Sequence, residues 1–304
     1  MTSRREFIIG AGGAVALSAV TRKGAKAQEK IRHVGVLMNA ANDDPEAQAC
    51  LAALQQGLAD LGWVTDRNLR IDQRWAVGEV DRYRQGVTEL VALAPDVLVI
   101  AGAAIQNAQR ITRTIPIVFS QAVDPVGAGF VARLSRPGGN ITGFMQFEFS
   151  LAGKWLQLLR EVAPSVNQIG VIREPVNPAG IGQWAALQVA AEPANIELTS
   201  ISNASSGDIE RSVAALAREP NTGLVAAVGA GTVVRRRTII EAAARHRLPA
   251  IFPYKYMATE GGLMAYGVDL IGQYRRAAGY VDRILRGEKP GDLPICDAHN
   301  PASP

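Results

Sequence analysis

The sequence predicts an α/β protein that forms two open lobes, each built on a parallel sheet. Short apolar runs rich in β-branched residues alternate with amphipathic helical segments, and the links between them are short. This alternation predicts parallel strands joined by right-handed crossovers, so each lobe should be Rossmann-like. The same order of elements occurs twice along the chain with no low-complexity linker between the two sets.

The first set of elements begins at residues 31–38, an apolar run that predicts a strand. Residues 45–61 carry four leucines at helical spacing and end at Gly62, so they predict a helix. The other elements of this set are predicted on the same grounds: strands 69–75, 96–101 and 115–120, and helices 81–94 and 105–112.

The stretch 115–144 connects the two sets. Pro125 occupies the first position of a predicted helix, with Asp124 as its N-cap. Four apolar residues at helical spacing support this helix: Val126, Phe130, Val131 and Leu134. Residues 136–140 should stop it, and 141–144 predicts an extended strand. Asp124 then lies at the carboxyl end of a strand, where open α/β sheets place ligands, although helix capping alone also explains it.

The second set repeats the pattern. Helices are predicted at 154–162, 184–191, 208–218, 232–246 and 269–286. Strands are predicted at 168–172, 196–201, 223–228 and 249–252, with a further extended piece at 262–266. Two such lobes form a cleft between the carboxyl ends of their sheets.

The candidate ligand-binding groups are residues at the predicted strand ends. They are Asn39, Trp75, Gly102, Ala103 and Asp124 in the first lobe, Asn177 and Tyr254 in the second, and Tyr266 where the chain crosses back. A carboxylate suits an ammonium group, backbone N–H groups at helix starts suit an anion, and aromatic rings suit an apolar group. The pattern therefore favours a small ligand that carries both an ammonium and a carboxylate.

Each candidate also has a structural explanation. Asn39 and the Asn177–Pro178 pair suit turns, Gly102 suits tight packing, and Trp75 suits a core. The two tyrosines suit lobe surface or hinge packing. The combination carries more weight than any single residue, because all of them fall on one predicted edge.

Charge and composition exclude several classes of function. The 48% hydrophobic and 20% charged residues are ordinary for a globular protein with a core. The first 27 residues carry five basic residues and one acidic residue, so the rest of the chain has 27 of each. The chain after residue 27 thus has no net charge, which gives no electrostatic reason to expect binding to nucleic acid or an anionic membrane.

The first 27 residues predict an export signal. A twin arginine, Arg4–Arg5, precedes the apolar run 8–20, which is too short to span a bilayer. Ala25-Lys26-Ala27 matches an A-x-A cleavage site, and no cysteine follows it that could carry a lipid anchor. We expect export by the twin-arginine route, removal of the signal and a soluble periplasmic protein with no membrane insertion. An ordinary Sec signal is the alternative.

Little in the sequence supports catalysis. It has no G-x-S-x-G elbow and no phosphate-binding P-loop, and its three histidines lack a metal-ligand spacing. The segment 229–231 opens a helix after a strand but lacks the third glycine of a dinucleotide loop. Asp43–Asp44 is interpreted as a solvated loop, and Cys50 and Cys296 are expected to be unpaired. We expect no enzymatic activity, no metal and no cofactor.

Five segments carry a resemblance to a known family: RREFI near the N-terminus and residues 56–82, 115–144, 154–164 and 244–294. They resemble the periplasmic ABC transporter substrate-binding proteins that include tryptophan- and tyrosine-binding members. The resemblance implies a type I periplasmic binding protein fold that closes on an aromatic amino acid or another small organic molecule. It also implies, as partners, a membrane permease and a cytoplasmic ATPase.

Two features depart from the family pattern. Residues 229–232 are small where members carry an acidic or bulky loop, which puts one second-lobe ligand contact in question. Residues 295–304 are short and polar, whereas members continue into a strand that returns to the second lobe.

The predicted organisation is an export signal at 1–27, a first lobe of 31–142 plus 267–294, a second lobe of 143–266 and an atypical shortened tail at 295–304. The predicted function is that of a monomeric periplasmic solute-binding protein of an ABC importer, with hinged lobes. The main alternative is a periplasmic ligand-sensing domain that partners a membrane receptor. An exported α/β enzyme is a further alternative.

Overall fold

The computed structural model describes residues 31–77, 80–148, 150–176 and 178–296, and its strands form two parallel sheets of five strands each. The first sheet contains Arg32–Met38 (β1), Leu69–Trp75 (β2), Val97–Ala101 (β3), Ile117–Val123 (β4) and Ile141–Phe147 (β5), in the order β2-β1-β3-β4-β5. The second contains Gln168–Arg173 (β6), Glu197–Ser202 (β7), Thr222–Ala226 (β8), Ala250–Phe252 (β9) and Met264–Ala265 (β10), in the order β10-β9-β8-β6-β7. The predicted export signal, most of the predicted tail and Asn177 lie outside the described residues.

Ten α-helices connect the strands in the described part of the chain. With the first sheet lie Pro45–Asp60 (α1), Val80–Ala92 (α2), Ile105–Ile111 (α3) and Leu270–Leu285 (α10). With the second lie Ser150–Val162 (α4), Pro178–Ala191 (α5), Ser206–Leu216 (α6), Ala230–Val234 (α7), Arg236–Arg245 (α8) and Lys255–Thr259 (α9). None of the described helices combines the length and the apolar character that a membrane span requires.

The predicted fold class, α/β with two open parallel-sheet lobes, is confirmed. Most strands are continuous apolar runs because helices cover both faces of each sheet, whereas the edge strands β2 and β7 carry polar and charged residues. Along β1, Val34, Val36 and Met38 belong to the larger hydrophobic core, whereas Leu37 belongs to the smaller one. The alternation follows from the two-residue period of a strand.

The chain passes from the first sheet to the second between β5 and α4, and it returns between β10 and α10. After the return, α10 packs against α1 and against β3 and β4 of the first sheet. These passages are the two connections between the sheets in the part of the chain that the structure describes.

The last described residues run along the outer edge of the first sheet. Cys296 donates its backbone N–H to the Gly143 carbonyl at 3.0 Å, and its own carbonyl accepts from Met145 at 2.9 Å. Here the chain after Pro294 pairs with the first sheet and not with the second.

Cys50 and Cys296 are both buried free thiols.

Candidate functional site

The carboxyl ends of four neighbouring strands place five candidate residues on one edge of the first sheet. Asn39 follows β1, Trp75 ends β2, Gly102 and Ala103 follow β3 in a short 3-10 turn, and Asp124 follows β4. Met38 pairs with Trp75, so β1 and β2 end level, and Ala101 at the end of β3 pairs with Ser120, beyond which β4 continues to Val123. Trp75 is half-buried and packs against the larger core, which agrees in part with the structural alternative to a ligand contact.

The predicted helix after Asp124 is wrong. The chain from Pro125 onward forms turns, and β4 itself extends to Val123. The Asp124 carboxylate accepts a hydrogen bond from the Gly127 N–H at 2.8 Å, and Gly129 adopts a φ of +72°. A residue in the left-handed region ends a helical turn, so the segment stops after a single turn. Asp124 caps this turn, as the sequence allowed.

Gly102 lies against the backbone of β4. A Cβ atom on residue 102 would lie 2.1 Å from the carbonyl oxygen of Gln121, so only glycine fits there. Gln121 has a φ of +64° and lies where the register of β4 with β5 shifts. Gly102 is therefore required for tight packing, as its structural alternative proposed. It packs beside the end of β4.

Tyr254 and Tyr266 lie on the carboxyl edge of the second sheet. Tyr254 follows β9, is 2% exposed and stacks on Tyr256, with ring centroids 5.5 Å apart. Tyr266 follows β10 and donates its backbone N–H to the Phe252 carbonyl at 2.9 Å. Its carbonyl accepts from the Trp155 indole at 2.7 Å, which ties the return passage to α4. Part of the Tyr266 side chain remains exposed.

Tyr254 links the two sheet edges. Its hydroxyl donates to Gln146 Oε1 at 2.9 Å, and Gln146 Nε2 donates to the Gln121 carbonyl at 2.8 Å. All three residues are buried, and burial raises the pKa of Tyr254, so its hydroxyl remains a donor. The carboxyl edges of the two sheets therefore face each other, with Gln121 and Tyr254 on opposite sides.

Arg236, at the start of α8, forms a second bridge between the edges. Its Nη1 lies 2.6 Å from Asp44 Oδ2, and its Nε lies 2.8 and 3.0 Å from the two Glu260 oxygens. The guanidinium also lies 5.5 Å from the ring centre of Tyr256. The Arg236 and Asp44 side chains are only 10% and 11% exposed, so this is a largely desolvated ion pair.

The interpretation of Asp43–Asp44 as a solvated loop is wrong for Asp44. Its Oδ1 accepts from the backbone N–H groups of Glu46 and Ala47 at 3.0 and 3.1 Å, which caps α1. Its Oδ2 binds Arg236, which comes from the other sheet. The sequence shows the capping pattern before Pro45, but it cannot show a partner 192 residues away.

Glu174 follows β6, and its carboxylate binds the segment 229–231. Its Oε1 accepts from the Gly231 N–H at 2.6 Å. Burial raises the pKa of Glu174, and the Gly231 hydrogen bond opposes that rise. The Glu174 carboxylate thus accepts the hydrogen bond that the Gly231 N–H could otherwise donate to a bound anion.

Replacing Glu174 with glutamine should stabilise the protein in a pH-dependent way. The pKa of Glu174 is higher in the folded protein than its ordinary value of 4.5, so ionisation disfavours folding as the pH rises above that value. Glutamine keeps the acceptor for Gly231 and removes the buried charge. The melting temperature of the variant should exceed that of the wild type at about pH 8, and the two should agree at about pH 4. An equal difference in melting temperature at both pH values would contradict a raised pKa for Glu174.

Two cavities lie away from the facing edges. One of about 410 Å³ lies at the amino edge of the first sheet, where Arg32, Asp96 and Arg113 are among its lining residues. The other, of about 330 Å³, lies on the second sheet's side of the molecule beside Ile240 and Phe252. Neither of these two cavities is lined by a candidate residue.

Four residues of the facing edges were not predicted: Gln121, Gln146, Glu174 and Arg236. The two glutamines carried a weak signal, since each is an amide within a mostly apolar strand segment. Arg236 is the middle of three consecutive arginines, and sequence alone does not show which of the three is buried. Glu174 gave no signal, because a glutamate after a strand is common in loops.

Comparison with known proteins identifies related sequences. A family model described as ABC transporter substrate binding protein matches residues 36–303. A tyrosine-binding protein of Clostridioides difficile (strain R20291) is 24% identical over 247 residues, which is 79% of this chain and 69% of that protein.

Solved structures share the fold. A conserved domain protein from Vibrio cholerae superposes with a TM-score of 0.83 and 28% identity, over 89% of this chain and 90% of that one. An ABC domain from Streptococcus pneumoniae in complex with L-Trp superposes with a TM-score of 0.80 and 23% identity, over 88% of each chain.

Proposed function

The chain belongs to the ABC transporter substrate-binding protein family, and from that premise we propose that it is the solute-binding subunit of an importer. Membership in the family implies a small-molecule ligand, with permease and ATPase subunits as partners. The proposed ligand is an amino-acid-like solute, aromatic in its side chain, held between the carboxyl edges of the two sheets. The observation that carries this proposal is that these edges face each other across Tyr254 and Gln121.

The candidate residues would make three kinds of contact with the ligand. The Asp124 carboxylate would hold the ammonium group, and the amides of Gly102 and Ala103 at the start of the turn before α3 would hold the carboxylate. The rings of Trp75 and Tyr266 flank the edges where an aromatic side chain would lie. The tyrosine-binding relative supports this choice of solute class.

Closure of two hinged lobes would complete the site. We propose lobes of 31–142 plus 267–294 and of 143–266, which move about the passages after β5 and after β10. A ligand that contacts both edges favours the closed form by its differential affinity for that form.

The remaining proposals are a periplasmic location, export by the twin-arginine route and action as a monomer.

Calorimetric titration of the purified protein tests the proposal. L-tyrosine or L-tryptophan should bind with a Kd of about 10 μM or tighter, whereas the matched acids without the amino group should bind at least tenfold more weakly. These acids are 3-(4-hydroxyphenyl)propanoate and indole-3-propanoate. If neither amino acid binds below about 1 mM, the proposed solute class is wrong.

A further inference from the structure

Gln121 combines two unusual features at the end of β4. It is a non-glycine residue with a φ of +64°, and it is only 7% exposed. Its side-chain carbonyl Oε1 is buried and receives no hydrogen bond from the residues that the structure describes. Strained backbone and buried polar atoms without a partner both concentrate at functional sites, so each feature requires an explanation.

The backbone of Gln121 is held from two sides, which leaves the side chain as the unexplained part. Its N–H donates to Gln273 Oε1 at 3.1 Å, and its carbonyl accepts from Gln146 Nε2 at 2.8 Å. Both partners are themselves buried side chains. Side chains from two elements, β5 and α10, thus hold this residue in an unfavourable conformation while its side-chain acceptor is unused.

The position of Gln121 indicates where a partner would come from. It lies three residues before Asp124 at the carboxyl edge, against Gly102, and within the hydrogen-bonded link to Tyr254 of the other sheet. A register shift of β4 places it there, and such bulges commonly redirect side chains beside binding sites. An N–H donor that enters between the sheets would reach this neighbourhood.

We propose that Gln121 Oε1 is a ligand contact that accepts one N–H of the ligand's ammonium group, beside Asp124. The inference rests on the proposed function and extends it to a residue that sets specificity for amines. An ammonium has three N–H donors, so a single carboxylate does not satisfy it. Desolvating the remaining donors without acceptors would oppose binding, and an amide carbonyl already buried at the edge supplies one.

The variant Gln121→Gly tests the proposal without a strained replacement. Glycine favours a positive φ, so the ligand-free melting temperature should hold or rise, while the side-chain acceptor is lost. Gln121→Asn is the second variant, because asparagine tolerates a positive φ and withdraws the carbonyl by one methylene. Both variants keep the backbone bonds to Gln146 and Gln273.

Calorimetry with L-tyrosine and with its deaminated analogue gives the decisive comparison. The Kd for L-tyrosine should rise at least tenfold in both variants, and the Kd for 3-(4-hydroxyphenyl)propanoate should change less than twofold. Unchanged L-tyrosine affinity would overturn the role of Gln121 while the proposed function stands. Equal losses for both compounds would show a purely structural effect and would also overturn it. If the wild type binds neither L-tyrosine nor L-tryptophan, the proposed solute class fails and this inference fails with it.

Discussion

Replacing Arg236 with alanine is expected to lower the free energy of unfolding by about 3 kcal/mol, because it leaves the buried Asp44 carboxylate without its counter-charge. Glu260, which is 30% exposed at its side chain, loses the same partner. For a chain of this size the melting temperature should fall by roughly 6–12 °C. Denaturant unfolding and calorimetry measure both quantities.

The neighbouring Arg237 supplies a matched control. It lies one residue along the same helix and is exposed, so Arg237→Ala should change the unfolding free energy by less than about 0.5 kcal/mol. Adding Asp44→Asn to Arg236→Ala should recover part of the lost stability, because asparagine keeps the cap of α1 and removes the stranded charge. Equal effects of the two arginine variants would show that the ion pair between the sheets contributes nothing.

Replacing Asp124 with asparagine is expected to weaken the binding of L-tyrosine by more than tenfold, or about 1.4 kcal/mol. Asparagine still accepts the hydrogen bond from Gly127, so the turn after β4 should persist. What the variant loses is the charge that would pair with the ligand's ammonium group. Calorimetric titration measures the change in Kd.

The deaminated analogue again separates charge from structure. It carries a carboxylate but no ammonium, so Asp124→Asn should leave its affinity unchanged or raise it. An unchanged Kd for L-tyrosine in Asp124→Asn would remove Asp124 from the site. Asp124→Ala, which also loses the turn acceptor, should weaken binding at least as much as Asp124→Asn.

The strands and long helices could be predicted from local patterns. Runs such as 69–75 alternate, and 45–61 has one apolar face, so the period of the pattern identifies each element without tertiary information. The carboxyl-edge positions of Asn39, Trp75, Gly102 and Tyr254 then follow from the topology of a parallel sheet.

The predictions that were wrong or missing share a physical cause. They concern residues whose structure depends on long-range contacts or on the local backbone conformation. The segment after Asp124 has helical spacing, but Gly129 takes a left-handed conformation and ends it. Asp44 looked solvated because its partner Arg236 is remote in sequence. The left-handed φ of Gln121 is set by side chains on β5 and α10, and no local pattern encodes it.

A crystal structure of the protein with L-tyrosine or L-tryptophan would show where the ligand binds. We expect electron density for the ligand between the two carboxyl edges, with its ammonium within hydrogen-bond distance of Asp124 and Gln121 and its ring on the side of Trp75 or Tyr266. Density in the cavity beside Arg32 and Arg113 at the opposite edge, with none between the sheets, would contradict it.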